Sequence, residues 1–135
     1  VHVAALPMDD GDENAIVVNA LQRQAAVVVQ KSLVEGFGLT VTEPMWKARP
    51  VVASRVGGIQ DQITHETDGL LLDDPEDLDA FGGLLRRLLA DEPLAARLGE
   101  AAHARVRDEY LGDRHLTQYV DLLAGLLGDG HRETA

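Results

Sequence analysis

Two short runs of this sequence are apolar at every position: Ala26-Val27-Val28-Val29 and Val51-Val52-Ala53. A strand with one face in water alternates apolar and polar residues, whereas an unbroken apolar run is typical of a strand covered on both faces of a parallel sheet. Neighbouring parallel strands need a crossover connection, and residues 15–24 and 40–47 are each long enough to form its helix. The sequence therefore predicts an α/β domain with a three-layer, Rossmann-like parallel sheet flanked by helices.

The remaining elements extend this α/β pattern into a helical C-terminal segment. Strands are predicted over residues 1–6, 26–30, 50–54 and 69–72. Beyond Leu72, the apolar residues follow a helical period in three stripes. The stripes consist of Leu78, Phe81, Leu85 and Leu88; of Leu94, Leu98, Ala102 and Val106; and of Leu116, Tyr119, Val120, Leu123 and Leu127. Asp74-Pro75 and Pro93 are predicted to begin the first two helices, with the domain over residues 1–127 and a polar tail over 128–135.

The composition excludes several classes of partner. With 23 acidic residues against 12 Lys plus Arg, the net charge of −11 opposes binding to a nucleic acid backbone. No apolar run reaches the ~18 residues that span a bilayer, so no membrane span is expected. The lack of cysteine excludes disulfides and thiolate metal sites and favours a cytoplasmic location. Because the chain begins at Val1 rather than at a methionine, we expect a fragment of a longer protein.

The segment over residues 35–43 is the strongest candidate for a ligand site. It follows a predicted buried strand, and ligands of open parallel sheets bind in the crevice beyond the carboxyl ends of the strands. Gly36 and Gly38 allow the backbone to approach a ligand closely. The unpaired N–H groups and the dipole of the following helix suit a diphosphate.

Glu35 and Glu43 add two carboxylates to this segment. A carboxylate can accept two hydrogen bonds from a vicinal diol, so Glu43 can hold a ribose while Glu35 holds the hydroxyls of another sugar. Two polyols flanking a diphosphate describe a nucleotide sugar. Spacing alone leaves other interpretations open: Thr40 and Glu43 also fit a capping box, Glu35 also fits a solvated loop acid, and Phe37 also fits a packing anchor.

Residues 35–43, together with Pro50-Val51-Val52-Ala53 and Val56-Gly57-Gly58-Ile59, resemble the C-terminal domain of retaining GT-B glycosyltransferases of family 4, the glycosyl transferases group 1. Two glutamates separated by seven residues are the signature of that family. Residues 19–24, 42–47 and 57–63 resemble, more narrowly, trehalose synthases of the glycosyltransferring type. The resemblance covers most of the chain and implies the donor-binding half of a GT-B fold.

The resemblance also implies a role for each residue of the segment. Glu35 and Glu43 are the catalytic-site residues, with Glu43 on the nucleotide ribose and Glu35 on a hydroxyl of the donor hexose. The hexose and the diphosphate are contacted by Gly36, Phe37, Gly38, Leu39 and Thr40, chiefly through the backbone. The reaction implied is glucosyl transfer from a nucleoside diphosphate glucose to glucose, forming trehalose with retention. The departing diphosphate helps to deprotonate the acceptor, and no metal or organic cofactor is required.

Two parts of the family architecture are missing from this chain. The basic pair that binds the diphosphate in the family belongs to an earlier strand and helix, and the acceptor binds through an N-terminal domain. We therefore expect the chain alone to be inactive. The nucleobase and the acceptor stay open, as does a homodimer. Pro44 stands where many relatives have Ala, and Glu66 where relatives often have Gly.

Other functions compete with this interpretation. Within the enzyme class, the chain can be the donor half of a glucan, sucrose or glycolipid hexosyltransferase. Outside it, the rivals are a noncatalytic Rossmann-like binding or regulatory domain and a flavodoxin-like signalling domain. The signalling domain needs an aspartate at a central strand end, whereas Gln30-Lys31-Ser32 stands there.

A few charged residues elsewhere are weaker candidates. Lys31, Arg49 and Arg55 lie near predicted strand ends, and Lys31 is the candidate for supporting the diphosphate. The acids Asp9, Asp10 and Asp12 are expected to form a solvated loop. His65, His103, His115 and His131 show no metal-ligand spacing, so no metal site is expected.

Overall fold

The computed structural model describes Val3, Ala5 and residues 10–129, without the side chains of residues 113–115 and 125–129. Helices and strands alternate through the first half, and three helices follow the last strand. The elements are α1 (Gly11–Gln24), β1 (Val28–Gln30), α2 (Leu39–Trp46), β2 (Val51–Ser54), α3 (Ile59–Gln62), β3 (Leu70–Leu72), α4 (Leu78–Ala90), α5 (Glu92–Glu109) and α6 (Gly112–Asp129).

The three strands form a parallel sheet in the order β1-β2-β3, so the predicted fold class is confirmed. Val28 pairs with Val51, and Val52 pairs with Leu70. The strand predicted over residues 1–6 falls on a segment of which only Val3 and Ala5 are described, and it stays a prediction.

Every residue of β2 is buried, because its side chains alternate between two cores. Val51 and Ala53 join a cluster with α2, α3 and α5, while Val52 faces a cluster with α4 and α5. The unbroken apolar run is thus explained for β2. It is not explained for β1, one of the two edge strands among the described residues, where Val29 is 38% exposed.

Helix beginnings differ from the prediction at two places. Asp10 is the N-cap of α1, where its carboxylate accepts from the amides of Asp12 and Glu13. Asp12 lies in the first turn of α1, so neither residue is part of a solvated loop, and Asp9 lies outside the described residues. The predicted N-cap at Asp74 is wrong, since α4 is capped by Asp77, whose carboxylate accepts from the Ala80 amide at 2.8 Å.

The carboxylate of Asp74 instead accepts from the Glu76 amide at 2.9 Å, in the turn before α4. The later start of α4 leaves Leu78 exposed, although Leu88 is buried as predicted. The second helix, α5, begins one residue before Pro93 with Asp91 as its N-cap.

The third predicted stripe lies on α6 and is not buried in this chain. Leu116, Tyr119, Val120 and Leu123 are each more than half exposed, and the side chain of Leu127 is not among those described. Helix α6 continues to Asp129, so the predicted tail begins inside the helix, and residues 130–135 lie outside the described residues.

Candidate functional site at the carboxyl edge of the sheet

Two loops lie side by side at the carboxyl edge of the sheet. The loop over residues 31–38 connects β1 to α2, and the turn over residues 55–58 connects β2 to α3. The Gly58 amide donates to the Gly36 carbonyl at 2.8 Å. A Cβ atom added to Gly57 would lie 1.8 Å from the Glu35 carbonyl oxygen. Gly57 and Gly58 are therefore in backbone contact with the 31–38 loop.

Glu35 is half-buried, and three donors of its own loop and strand hold its carboxylate. Its Oε2 atom accepts from Gln30 Nε2 at 3.2 Å and from Ser32 Oγ at 3.4 Å. Its Oε1 atom accepts from the Gly36 amide at 3.1 Å. The carboxylate therefore has a defined orientation, unlike that of a loop acid held by water alone.

Helix α2 begins without a side-chain cap. Its N-cap residue, Gly38, is buried and left-handed, with φ of 83°. The capping-box alternative is therefore wrong, because Glu43 does not return to the Thr40 amide. Pro44 is buried inside the helix, which begins one residue before Thr40. The first turn of α2 thus has N–H groups that no side chain of the described residues caps.

The Glu43 carboxylate lies against α1. Its Oε2 atom accepts from Gln22 Nε2 at 3.2 Å, and the Gln22 Oε1 atom accepts from Lys47 Nζ at 2.6 Å. Because an ammonium group can only donate, Lys47 fixes which end of the Gln22 amide faces Glu43. Gln22 and Lys47 were not predicted as site residues. Gln22 lies in α1 and Lys47 directly follows α2, and only the folded chain brings the two side chains together.

A cavity of about 380 Å³ opens between α1 and α2 beside this network. It is lined by Asn14, Ala15, Val18, Asn19, Gln22, Glu43 and Lys47. A larger cavity of about 500 Å³, lined in part by Ala26, Arg49 and Glu92, lies at the opposite edge, where the strands begin. Volume alone therefore does not identify the site, and the smaller cavity is the one that adjoins Glu43.

The other predicted residues of the segment are mostly exposed. Phe37 is 54% exposed and meets the ring of Tyr110 edge-on, with 6.3 Å between the ring centroids, so it also has a packing contact. The side chains of Lys31, Leu39 and Thr40 are exposed on the same loop and helix start.

Arg49 and Arg55 are the two other cations that lie near predicted strand ends. Arg55 pairs with Asp73, and Arg49 lies at the opposite edge of the sheet. Arg49 is therefore at the wrong edge of the sheet to support a diphosphate, and Arg55, although it lies in the neighbouring 55–58 turn, has its side chain paired with Asp73.

An ion pair anchors the α3 side of the site to α5. Arg105 donates to the carboxylate of Asp68 at 3.3 Å and to the Asp61 carbonyl at 2.9 Å. Asp68 is buried, and this burial raises the pKa of its carboxyl group, although the Thr64 amide and Arg105 act in the opposite direction. The contacts of Arg105 hold the segment after α3 in place.

Within the described ranges, no group of three or more His, Asp or Glu side chains is placed to hold a metal ion. The Nδ1 atom of His65 accepts from the Leu71 amide at 2.9 Å, and His103 stacks on Trp46 at 4.6 Å. The side chains of His115 and His131 are outside the described part. Of the helices described, none is long and apolar enough to cross a membrane.

Comparison with known proteins identifies the family of this chain. The model of the family described as "Glycosyl transferases group 1" matches residues 13–105, more than half of the chain. The chain belongs to the glycosyl transferases group 1 family. The matched range contains the 31–38 loop and both glutamates of the segment, and members of this family are transferases.

Relatives within the family include trehalose synthases. The chain is 50% identical over 115 residues to the trehalose synthase of Rubrobacter xylanophilus, a match that covers 84% of this chain and 26% of that protein. It is 44% identical over 106 residues to the trehalose synthase of Thermococcus litoralis, covering 78% of this chain and 25% of that protein. The chain thus spans about a quarter of the length of these relatives.

Solved glycosyltransferases of the GT-B class share the fold. Sucrose-phosphate synthase from Thermosynechococcus elongatus matches with a TM-score of 0.70 and 33% identity, over 87% of this chain and 28% of that one. Anabaena HepE in complex with UDP-glucose matches with a TM-score of 0.69 and 23% identity, over 78% of this chain and 29% of that one. The second match supports the fold alone.

Proposed function

We propose that this chain is the nucleotide-sugar-binding domain of a retaining glycosyltransferase that transfers glucose from a nucleoside diphosphate glucose to glucose, forming trehalose. The observation behind the proposal is the pairing of two held carboxylates, Glu35 and Glu43, on either side of the uncapped N-terminus of α2. The trehalose synthase relatives support the choice of ligand.

The donor is proposed to lie along the carboxyl edge of the sheet. The ribose diol binds the Glu43 carboxylate, which Gln22 and Lys47 hold beside the α1–α2 cavity. The diphosphate lies at the N-terminus of α2, where unpaired amides and the helix dipole favour an anion, with Lys31 as a further cation. The hexose reaches Glu35 and the backbone of residues 36–40.

The proposed reaction needs no nucleophile from the protein. The bond between the anomeric carbon and the diphosphate oxygen breaks, and positive charge develops on the anomeric carbon. The acceptor oxygen bonds to that carbon on the same face, and its proton passes to the departing diphosphate. Neither a metal nor an organic cofactor takes part, and the acceptor binds through an N-terminal domain of the whole protein.

Replacing Glu43 by Gln is expected to weaken donor binding about 10- to 100-fold. The substitution keeps the size of the side chain but removes a charged acceptor, and hydrogen bonds to charged groups are worth about 1.5–3 kcal/mol. The measurement is calorimetric titration with UDP, ADP and GDP and with their glucose conjugates. Equal affinities of wild type and Glu43→Gln would contradict the placement of the ribose.

Glu100→Gln provides the control for this substitution, because Glu100 is an exposed acid of α5 that lines the cavity at the opposite edge of the sheet. It removes the same charge from the chain away from the loop. We expect its affinity for the nucleotides to equal that of the wild type. A similar loss in both variants would indicate an effect of net charge rather than a contact with the ribose.

A second candidate is a hexosyltransferase that uses the same donor half with another acceptor. The 33% identity to sucrose-phosphate synthase over most of this chain favours it as the alternative. Incubation of the whole protein with a labelled donor and either glucose or a fructose phosphate separates the two. Labelled trehalose supports the first candidate, whereas product formed only from the fructose phosphate supports the second.

A further inference from the structure

Gln62 is a buried polar residue that uses only part of its hydrogen-bonding capacity. Its side chain is 1% exposed, and its Nε2 atom donates to the Phe37 carbonyl. Its Oε1 atom is buried without a hydrogen-bond partner among the described residues. Such an unpaired group costs about 1–3 kcal/mol of folding free energy. An apolar side chain would avoid this cost, so the glutamine is explained by its bond to the Phe37 carbonyl rather than by its burial.

The bond from Gln62 completes the contact between the α3 turn and the 31–38 loop. The Gly36 carbonyl accepts from the Gly58 amide, and the Phe37 carbonyl accepts from Gln62. The peptide bonds of the described residues are trans, so each carbonyl points opposite to the next N–H group. The amides of Phe37 and Gly38 therefore point away from the α3 turn. Neither amide has an acceptor in the part of the chain that the structure describes.

We infer that Gln62 is a positioning residue: it fixes the peptide plane between Phe37 and Gly38 so that the Gly38 amide is presented to the oxygens of the donor. The inference rests on the proposed function, because the ligand oxygens are those of a nucleoside diphosphate hexose. Gly58 fixes the preceding plane through its own backbone, whereas the second plane depends on the Gln62 side chain. Gln62 itself is not expected to touch the donor.

Gln62→Met separates this role from a purely structural one. Methionine has a similar length and suits a buried position but cannot donate to the Phe37 carbonyl. We expect the free energy of unfolding to stay equal or to rise, the Gly38 amide resonance to shift, and the affinity for UDP-glucose to fall about tenfold, which corresponds to about 1.4 kcal/mol. A structural role predicts instead that stability and affinity fall together.

Gln60→Met is the matched control, because Gln60 lies exposed on the same helix. It should change neither the Gly38 resonance nor the affinity. If Gln62→Met does not fold, Gln62→Asn replaces it: this variant keeps the amide but is one methylene too short to reach Phe37, so the same loss is expected. Wild-type affinity in the folded variant would overturn the inference.

The two proposals fail in different ways. If wild type binds UDP-glucose and Gln62→Met binds it equally well, the inference is wrong and the proposed function stands. If neither this chain nor the whole protein binds any nucleotide sugar, the proposed function is wrong. The Gly38 resonance of the ligand-free chain then still decides whether Gln62 fixes the loop: an unchanged resonance in Gln62→Met overturns that claim.

Discussion

Gly57→Ala is expected to destabilise the domain by about 3 kcal/mol and to lower its affinity for UDP-glucose more than tenfold. Gly57 has φ of +50°, a left-handed conformation that costs other residues about 1–2 kcal/mol. The added Cβ atom would also stand 1.8 Å from the Glu35 carbonyl oxygen and 2.8 Å from its carbon. Those atoms belong to the backbone, so the clash can be relieved only by moving the loop that holds Glu35.

Urea unfolding gives the stability of Gly57→Ala, and calorimetric titration gives its affinity for the donor. Gly83→Ala is the control, because a Cβ atom at Gly83 meets nothing within 4 Å. A helix-interior Gly→Ala change of this kind adds about 0.5–1 kcal/mol of stability. If Gly57→Ala keeps wild-type affinity for UDP-glucose, the contact between the two loops has no role in donor binding.

Gly99→Ala is expected to destabilise the domain by about 2 kcal/mol, although alanine is the better helix former. Gly99 lies buried in α5, and a Cβ atom there would stand 2.3 Å from the Ala48 carbonyl oxygen and 2.9 Å from its carbon. The Ala48 backbone cannot easily move away from this Cβ atom, because it already has an unfavourable φ of +55° just after α2. The overlap must therefore push α2 and α5 apart.

The same urea experiment tests this expectation against Gly83→Ala. Both substitutions place one methyl group inside a helix, and they differ in what the methyl group meets. Opposite signs of the stability change are predicted. A stabilised Gly99→Ala would show that the contact between α2 and α5 adapts to the added methyl group without cost.

The strand that is buried throughout, β2, could be predicted from the sequence. In β2, both faces are covered by helices, and its residues are apolar without interruption, as the pattern requires. In β1, the same pattern occurs at an edge, where one neighbouring strand is lacking among the described residues. At these two places an apolar run does indicate a strand, but it does not say how many neighbours the strand has.

Helix starts were less predictable because several residues compete for them. Asp74 and Asp77 are both good N-caps, and only the path of the chain after β3 decides that Asp77 caps α4 while Asp74 holds a turn. Glu43 also had two possible roles, in a capping box or in contact with a ribose. Because the left-handed Gly38 starts α2 before Thr40, the capping box does not form. The Glu43 carboxylate instead accepts a hydrogen bond from α1.

Contacts between distant segments could not be predicted from spacing. The bond from Gln22 to Glu43 joins residues 21 positions apart, and the bond from Gln62 to Phe37 joins residues 25 positions apart. Gln22 and Gln62 both lie within runs that resemble trehalose synthases, but the sequence of a run does not identify a partner in another segment. A glutamine is a common surface residue, and only its burial or its partner distinguishes these two from the others.

The most direct test of the account is a nuclear magnetic resonance titration of the isotope-labelled chain with UDP-glucose. We expect the amides of Phe37, Gly38 and Leu39 and the side-chain amide of Gln22 to shift with a single affinity. Residues of the cavity at the opposite edge, such as Ala26 and Glu92, should not respond. Shifts confined to that opposite cavity, or no shifts at any donor concentration in either this chain or the whole protein, would contradict the assignment of residues 35–43 as the donor site.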